Sequence, residues 1–164
     1  MTIISIGDLP RIREKHKDQK IVYCSGSFDL THAGHILFFE DCKKHGDILV
    51  VSVGKDVSIQ HSKGEKRPIL NEHIRLKTVD SFKPVDYSFT NPSFIKGNPL
   101  HTMEITFEKL KPDIFAANED FIDVPRIKNL AKKFNVKIII LPRSCPSEFE
   151  NLSTTKIIEK IKDL

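Results

Sequence analysis

Tryptophan is absent from this 164-residue chain, and only two tyrosines are present. Proteins that stack nucleic-acid bases need aromatic platforms beside a continuous basic stripe. Here the basic residues fall in separated groups: Arg11, Arg13, Lys15 and Lys17, then Lys43 and Lys44, then Lys132 and Lys133. Nucleic acid is therefore not expected as a partner. The three cysteines, Cys24, Cys42 and Cys145, form no CxxC pair and have no Cys/His ligand spacing. That excludes a disulfide framework and a structural zinc site, leaves no protein metal site expected, and makes a reducing cytoplasm the default location. No apolar run comes near the ~20 residues that span a bilayer; Ile48–Val53 is typical, and Met1–Leu9 has no basic n-region. A membrane is not expected as a partner either.

What is present is ordinary globular material. The chain is 39% hydrophobic and 29% charged, with seven Gly, nine Pro and charges of both signs. This composition argues against collagenous, low-complexity and disordered classes and fits one domain, residues 1–164, with its own core. Twenty-six Lys+Arg against 22 Asp+Glu leave a formal +4, a mild excess that suits an anionic small ligand.

The patterning alternates strands with helices. After an amphipathic opening segment around Leu9 and Ile12, Lys20–Cys24 reads as a buried strand ending at Ser25-Gly26-Ser27. Ala33 to His45 has apolar residues at helical spacing, with Gly46 at the C′ position. Ile48–Val53 is a continuous apolar strand of the kind buried on both faces. A polar loop from Lys55 to Pro68 leads to a helix over about Asn71–Phe82 and a strand over Val85–Phe89. After a Pro- and Gly-containing loop come a helix ended by Pro112, a strand over Asp113–Ala117, a helix over Pro125–Phe134 and a fifth strand over Val136–Leu141. Ser153–Leu164 starts with a Ser/Thr cap and places Ile157, Ile158 and Ile161 on one face. Such alternation predicts right-handed βαβ crossovers and an α/β fold: a doubly wound, parallel, five-stranded sheet with helices on both faces. Ligands in such sheets bind beyond the carboxyl ends of the strands, here the loops after Cys24, Val53, Ala117 and Leu141.

The loop after Cys24 carries the strongest chemical signal. His32 and His35, three apart with Gly34 between them, fall on the first turn of a helix, whose N–H groups and dipole favour an anion. Gly26 and Gly34 are read as allowing phosphate close to the backbone, and imidazoles there can donate to phosphoryl oxygens as charge accumulates. An isolated HxxH is more often a surface or core pair. Its position in the first strand-to-helix turn, where phosphate sites occur, tips the reading to function. A metal site is not supported, since no HExxH or third ligand appears.

Gly26–His35 resembles the GxFDxxHxGH signature of the cytidylyltransferase-like nucleotidylyltransferases. The likeness continues at Gly46–Val51, Lys63-Gly64-Glu65-Lys66-Arg67-Pro68, Asn71–Arg75, Val85–Tyr87, Lys111–Asp113 and Ser153-Thr154-Thr155-Lys156. Within the family, the heptose-phosphate adenylyltransferase domain and glycerol-3-phosphate cytidylyltransferase are the branches most similar. The resemblance implies a Rossmann-like fold and an enzyme that transfers a nucleoside monophosphate from an NTP to a phosphorylated small molecule, releasing pyrophosphate. It implies His32, His35 and Arg75 as catalytic residues. Ser27, Phe28, Asp29, Gly34, Asn118, Glu119, Ser153, Thr154 and Thr155 would contact the nucleotide, and Lys63 and Arg67 the phosphates of substrate. Mg²⁺ would accompany the NTP, and a homodimer is carried over by analogy, no heptad seam speaking for it.

Plainer roles stand beside these. Lys63 and Arg67 are otherwise solvated, Arg75 otherwise pairs with Glu72 on a helix surface, and Ser153 is an N-cap in either case. Lys55 and Asp56 have no assigned role. Two departures from the family pattern leave matters open. The nucleotide-recognising Gly-Gly-Asp or Gly-Asp-Asp stretch is here Ala117-Asn118-Glu119-Asp120-Phe121, so the base stays open, with ATP ahead of CTP. An Arg that precedes the STT segment in the glycerol-phosphate branch is missing near Glu148, and Arg143 is the candidate substitute. The loop Thr90–His101, with Lys96 and His101, is an acceptor-specificity loop or an insertion. A sugar phosphate, glycerol phosphate or a phosphonate would serve as acceptor. The alternatives are an adenylate-forming reaction like that of class I aminoacyl-tRNA synthetases, against which the chain's length speaks, and a nucleotide-binding sensor, which would be stabilised by NTP without turning it over.

Overall fold

The computed structural model describes residues 2–92, 95, 98, 100–119, 124–143, 146–149 and 153–164, with the backbone alone at 124 and 125. Six strands form one sheet: β1 (Thr2–Ile3), β2 (Ile21–Gly26), β3 (Ile48–Val53), β4 (Tyr87–Thr90), β5 (Ile114–Asn118) and β6 (Lys137–Leu141). Their order is β1-β4-β3-β2-β5-β6 and every pairing is parallel. The sequence pattern predicts five of these. The sixth, β1, has two exposed residues paired with Tyr87 and Ser88, too short to show a period of two.

Among the described residues the α-helices are α1 (Leu9–Lys15), α2 (Ala33–Lys43), α3 (Asp56–Lys63), α4 (Glu72–Asp80), α5 (His101–Leu110) and α6 (Val124–Lys133) between the strands, and α7 (Thr154–Lys162) after the last. α3 corrects the expected polar loop over 55–68. Its one buried residue is Ile59, while Val57 points outward, so no apolar stripe betrays it. Loop calls at Lys96, Asp120, Phe121, Ser144 and Cys145 lie outside the described residues.

β2 and β3 are apolar along nearly their whole length because helices cover both sides. One face packs Tyr23, Val50, Phe89 and Phe115 against Leu9 and Ile12 of α1, Phe107 and Leu110 of α5 and Ile127 of α6. The other packs Val22, Cys24, Leu49 and Val51 against Phe38, Phe39 and Cys42 of α2 and Val79 of α4. Cys24 and Cys42 are buried free thiols. From β2 the chain winds one way through β3 and β4 and then the other way through β5 and β6. Right-handed crossovers in opposite directions put α2 and α4 on one face and α5 and α6 on the other, as observed. The reversal falls between β2 and β5, and the loop after β2 opens onto that switch point.

Candidate active site

The loop 27–32 leaves β2 under constraint. Phe28 and Leu30 both adopt left-handed backbone conformations, with φ of 48° and 45°, which cost a non-glycine residue energy and persist where the surroundings enforce them. Asp29, between them, supplies the enforcement. Its carboxylate is 1% exposed and accepts from the backbone N–H groups of Ile69 (2.9 Å) and Leu70 (3.0 Å) and from Arg67 Nε (3.0 Å). Of the two roles expected of Asp29, these contacts are those of holding the turn. Arg67 is likewise committed to Asp29 rather than simply solvated, its side chain 16% exposed.

The glycines of the turn have a packing reason of their own. A Cβ at Gly26 would lie 2.8 Å from the Phe28 ring, and one at Gly34 would lie 3.0 Å from the His32 ring. Their small size admits the protein's own rings. Phe28, so seated, meets His35 edge to face at 5.7 Å and Phe39 at 5.0 Å between centroids.

His32 is the N-cap of α2, and its Nδ1 accepts from the Gly34 N–H at 3.2 Å. His35 Nδ1 accepts from the His32 backbone N–H at 3.3 Å. With each Nδ1 accepting, the neutral rings carry their protons on Nε2, so each presents an N–H donor. The rings stand side by side, 4.2 Å between centroids. Burial pushes the His35 pKa from 6.5 down to about 4, and the charges of His32, Lys63 and Arg143 push the same way, against Asp29. His32 is lowered chiefly by burial, then by Arg143. Both are neutral donors near pH 7. A triphosphate laid against them would raise both again, and Nε2–H donates in either state.

Arg75 is not where the sequence reading put it. It is 0% exposed, and its guanidinium donates to Leu70 O (2.8 Å), Gly54 O (2.7 Å), Ser27 O and Asp56 Oδ1 (2.6 Å). Neither a surface pair with Glu72 nor an outward-reaching group, it ties the turn after β2, the end of β3 and the start of α3 into one unit. Glu72 instead accepts from the Asp56 N–H at 3.0 Å. The missed signal was that Arg75 and Val79, four apart behind the Asn71 cap, share the buried face of α4. Asp56 now has a role as the partner of Arg75.

The distant segments converge on the same turn. Lys63, at the end of α3, donates from Nζ to Ser27 Oγ at 3.0 Å. Thr154, at the start of α7, donates from Oγ1 to Asp29 O at 2.8 Å, joining residues 125 apart. Ser153 caps α7, its Oγ accepting from the Lys156 N–H at 3.2 Å, as expected; Thr155 is exposed beside it. Asn118 ends β5, the neighbour of β2, and Glu119 follows it, exposed. Arg143, two residues beyond β6, is near enough for its charge to act on both histidines. Among the described residues, no group of three or more His, Cys, Asp or Glu side chains is arranged to hold a metal ion.

The sequence model of the cytidylyltransferase-like family matches residues 23–160. The chain belongs to that family. The match bears out the family resemblance drawn from the HxGH turn and the segments after it. Within the family, the chain is 37% identical over 150 residues to the bifunctional protein HldE of Campylobacter jejuni subsp. doylei, covering 91% of this chain and 29% of that protein. It is 36% identical over 161 residues to HldE of Helicobacter acinonychis, covering 98% of this chain and 31% of that one. The chain thus spans about three tenths of the length of these relatives. Among solved structures, the lipopolysaccharide core biosynthesis protein of Thermoplasma volcanium matches with a TM-score of 0.62 at 30% identity, over 77% of this chain and 97% of that one. A pantoate-beta-alanine ligase of Francisella tularensis, at 23% identity over 100% of this chain and 78% of its own, shares the fold with a TM-score of 0.65. No described helix is long and apolar enough to cross a membrane.

Proposed function

We propose that this chain transfers a nucleoside monophosphate from an NTP, ATP ahead of CTP, to a phosphorylated small molecule of the sugar-phosphate class. The paired Nε2–H donors of His32 and His35, fixed at the N-terminus of α2, carry the reading. A phosphate oxygen of the acceptor attacks the α-phosphorus in line, the bond to the bridging oxygen breaks, and pyrophosphate leaves. The nucleophile is already an anion, so the protein's task is positioning and charge stabilisation. His32 and His35 donate to the α-phosphoryl oxygens as charge accumulates there. Lys63, Arg143 and the start of α7 at Ser153 and Thr155 surround the triphosphate, and Asn118 and Glu119 face the nucleoside. Asp29, Arg67, Arg75 and Thr154 hold the turn through contacts already made.

Mg²⁺ belongs to this reaction as a companion of the triphosphate, shielding its charge. The nearest carboxylate, Asp29, is engaged by Arg67 and two backbone N–H groups, so the protein's own residues do not fit a metal cage and no step is assigned to one. The ATP preference rests on the similarity of the KGxxRP loop and opening segment to the heptose-phosphate branch and on the identity with HldE. A homodimer and a cytoplasmic setting are part of the same proposal.

The test is a pyrophosphate-release screen of ATP, CTP, GTP and UTP with Mg²⁺ against sugar phosphates, polyol phosphates and phosphonates, with His35→Ala alongside. The expected result is one nucleotide and acceptor pair, active in the wild type and lost in the variant. Silence across the panel, with stabilisation by NTP retained, would favour a nucleotide-binding role instead.

A further inference from the structure

A row of polar side chains runs along the face of the sheet that α5 covers, and nucleotidylyl transfer as described leaves it unexplained. Tyr23 and Ser52, both fully buried on neighbouring strands, hydrogen-bond through their hydroxyls at 2.7 Å. Burial pushes the Tyr23 hydroxyl pKa up, and hydrogen bonding with Ser52, Ser25 and Thr106 works against that rise. One step nearer the loops, Asn91 Nδ2 donates to Ser25 Oγ at 3.4 Å, and the Asn91 backbone N–H donates to Val53 O at 2.9 Å. The Asn91 amide therefore stands over the carboxyl ends of β2 and β3, next to the residue that precedes Gly26.

Asn91 Oδ1 is buried and accepts nothing from the described residues. A buried polar atom without a partner is costly, which makes such an atom at a site informative. Turning the amide over does not remove the deficit, because it would let Oδ1 accept from Ser25 and leave the NH₂ group without a partner. A hydroxyl on a ligand satisfies either orientation, since it both donates and accepts. The residue as a whole is only partly buried, and it directly follows β4 at the carboxyl ends of the strands. Under the transfer reading two ligands meet at this site, the nucleotide with its ribose hydroxyls and the acceptor. Asn118 and Glu119, assigned to the nucleoside, lie at and just past the end of β5, on the far side of β2 from β3 and β4, so position favours the acceptor.

We propose that Asn91 reads a hydroxyl group of the acceptor, which narrows the acceptor class to sugar and polyol phosphates over phosphonates that lack hydroxyls. This rests on the nucleotidylyl-transfer reading above. Ser25, itself held within the Tyr23 and Ser52 row, orients the amide.

The experiment compares wild type with Asn91→Leu and Asn91→Ala, using ATP or CTP with Mg²⁺ and, as acceptors, glucose 1-phosphate, mannose 1-phosphate, glycerol 3-phosphate and 2-aminoethylphosphonate. In Asn91→Leu the KM for the acceptor should rise about tenfold or more, with the KM for NTP and the NTP-induced rise in Tm unchanged. The ligand-free Tm should stay close to wild type, because removing the unpartnered Oδ1 offsets loss of the long Nδ2 bond to Ser25. Three results would overturn the proposal: an unchanged acceptor KM, a matching rise in the NTP KM, which would assign the amide to the ribose, or a lower ligand-free Tm without a KM change. If wild type turns over no acceptor while NTP still raises its Tm, the transfer reading fails and takes this proposal with it.

Discussion

The two ends of the sheet use polar groups in opposite ways. At the amino ends, carboxylates stitch strand starts to their neighbours: Asp47 accepts from the Lys20 N–H at 2.8 Å, Asp86 from the Leu49 N–H at 2.7 Å and Asp113 from the Ile21 N–H at 2.7 Å. Lys43 pairs with Asp86 and Arg13 with Asp113, so these charges close on themselves. At the carboxyl ends Lys63 and Arg143 lie near enough to act on the histidines, the imidazoles are held neutral, two non-glycine residues sit at positive φ, and the Asn91 oxygen lacks a described partner. One end is satisfied by the chain alone. The other, on the function proposed above, is completed by an anionic, hydrogen-bonding ligand at the reversal of the chain between β2 and β5.

The contrast breaks most sharply at the histidines. His35→Ala should lower kcat by about 10²–10³-fold, the usual cost of removing a preorganised donor, with little change in Tm; pyrophosphate release and a thermal melt of the same preparation test both halves. Next in size is Arg75→Met, which leaves the carbonyls of Ser27, Gly54 and Leu70 without their donor. Breaking a buried pair in this way should cost about 3–5 kcal/mol in urea unfolding. Arg75→Lys should recover only part of that, because one ammonium cannot reproduce a fork that meets four acceptors. Asp86→Ala, at the opposite end, should cost about 1–2 kcal/mol of stability and leave kcat and both KM values unchanged. A fall in kcat there would contradict the division of labour between the two ends.

The smallest effect is in pH. The folded His35 pKa lies below its ordinary value, so the unfolded chain takes up the proton first as pH falls. The stability attached to the neutral imidazole is therefore fully present above pH 6.5 and is lost as pH falls toward about 4. Tm measured across that window should drop more steeply in wild type than in His35→Gln, which has no such group to titrate.

Much of this was legible in the sequence because it is local. Ile48–Val53 is apolar throughout, Ala33–Lys43 and the Asn71 cap follow helical rules, and HxxH in a first strand-to-helix turn is a spacing signal. β1 and α3 escaped because two residues have no period and one buried isoleucine makes no stripe. The site's supports escaped for a different reason. Asp29 meets the N–H groups of residues 40 and 41 positions away, and Thr154 meets Asp29 from 125 away, so their partners exist only once the sheet has formed. The packing role of the glycines is hidden in the same way, since nothing in GxFDxxHxGH says that the Phe28 and His32 rings fill the space beside Gly26 and Gly34.

The most direct test of the central claim is the ¹⁵N NMR spectrum of the imidazoles at pH 7, with and without a non-hydrolysable NTP. The account predicts that His32 and His35 are both neutral and protonated on Nε2 in the free protein, and that the nucleotide shifts those Nε2–H signals specifically. Imidazolium rings, protons on Nδ1, or Nε2–H signals indifferent to nucleotide would contradict it.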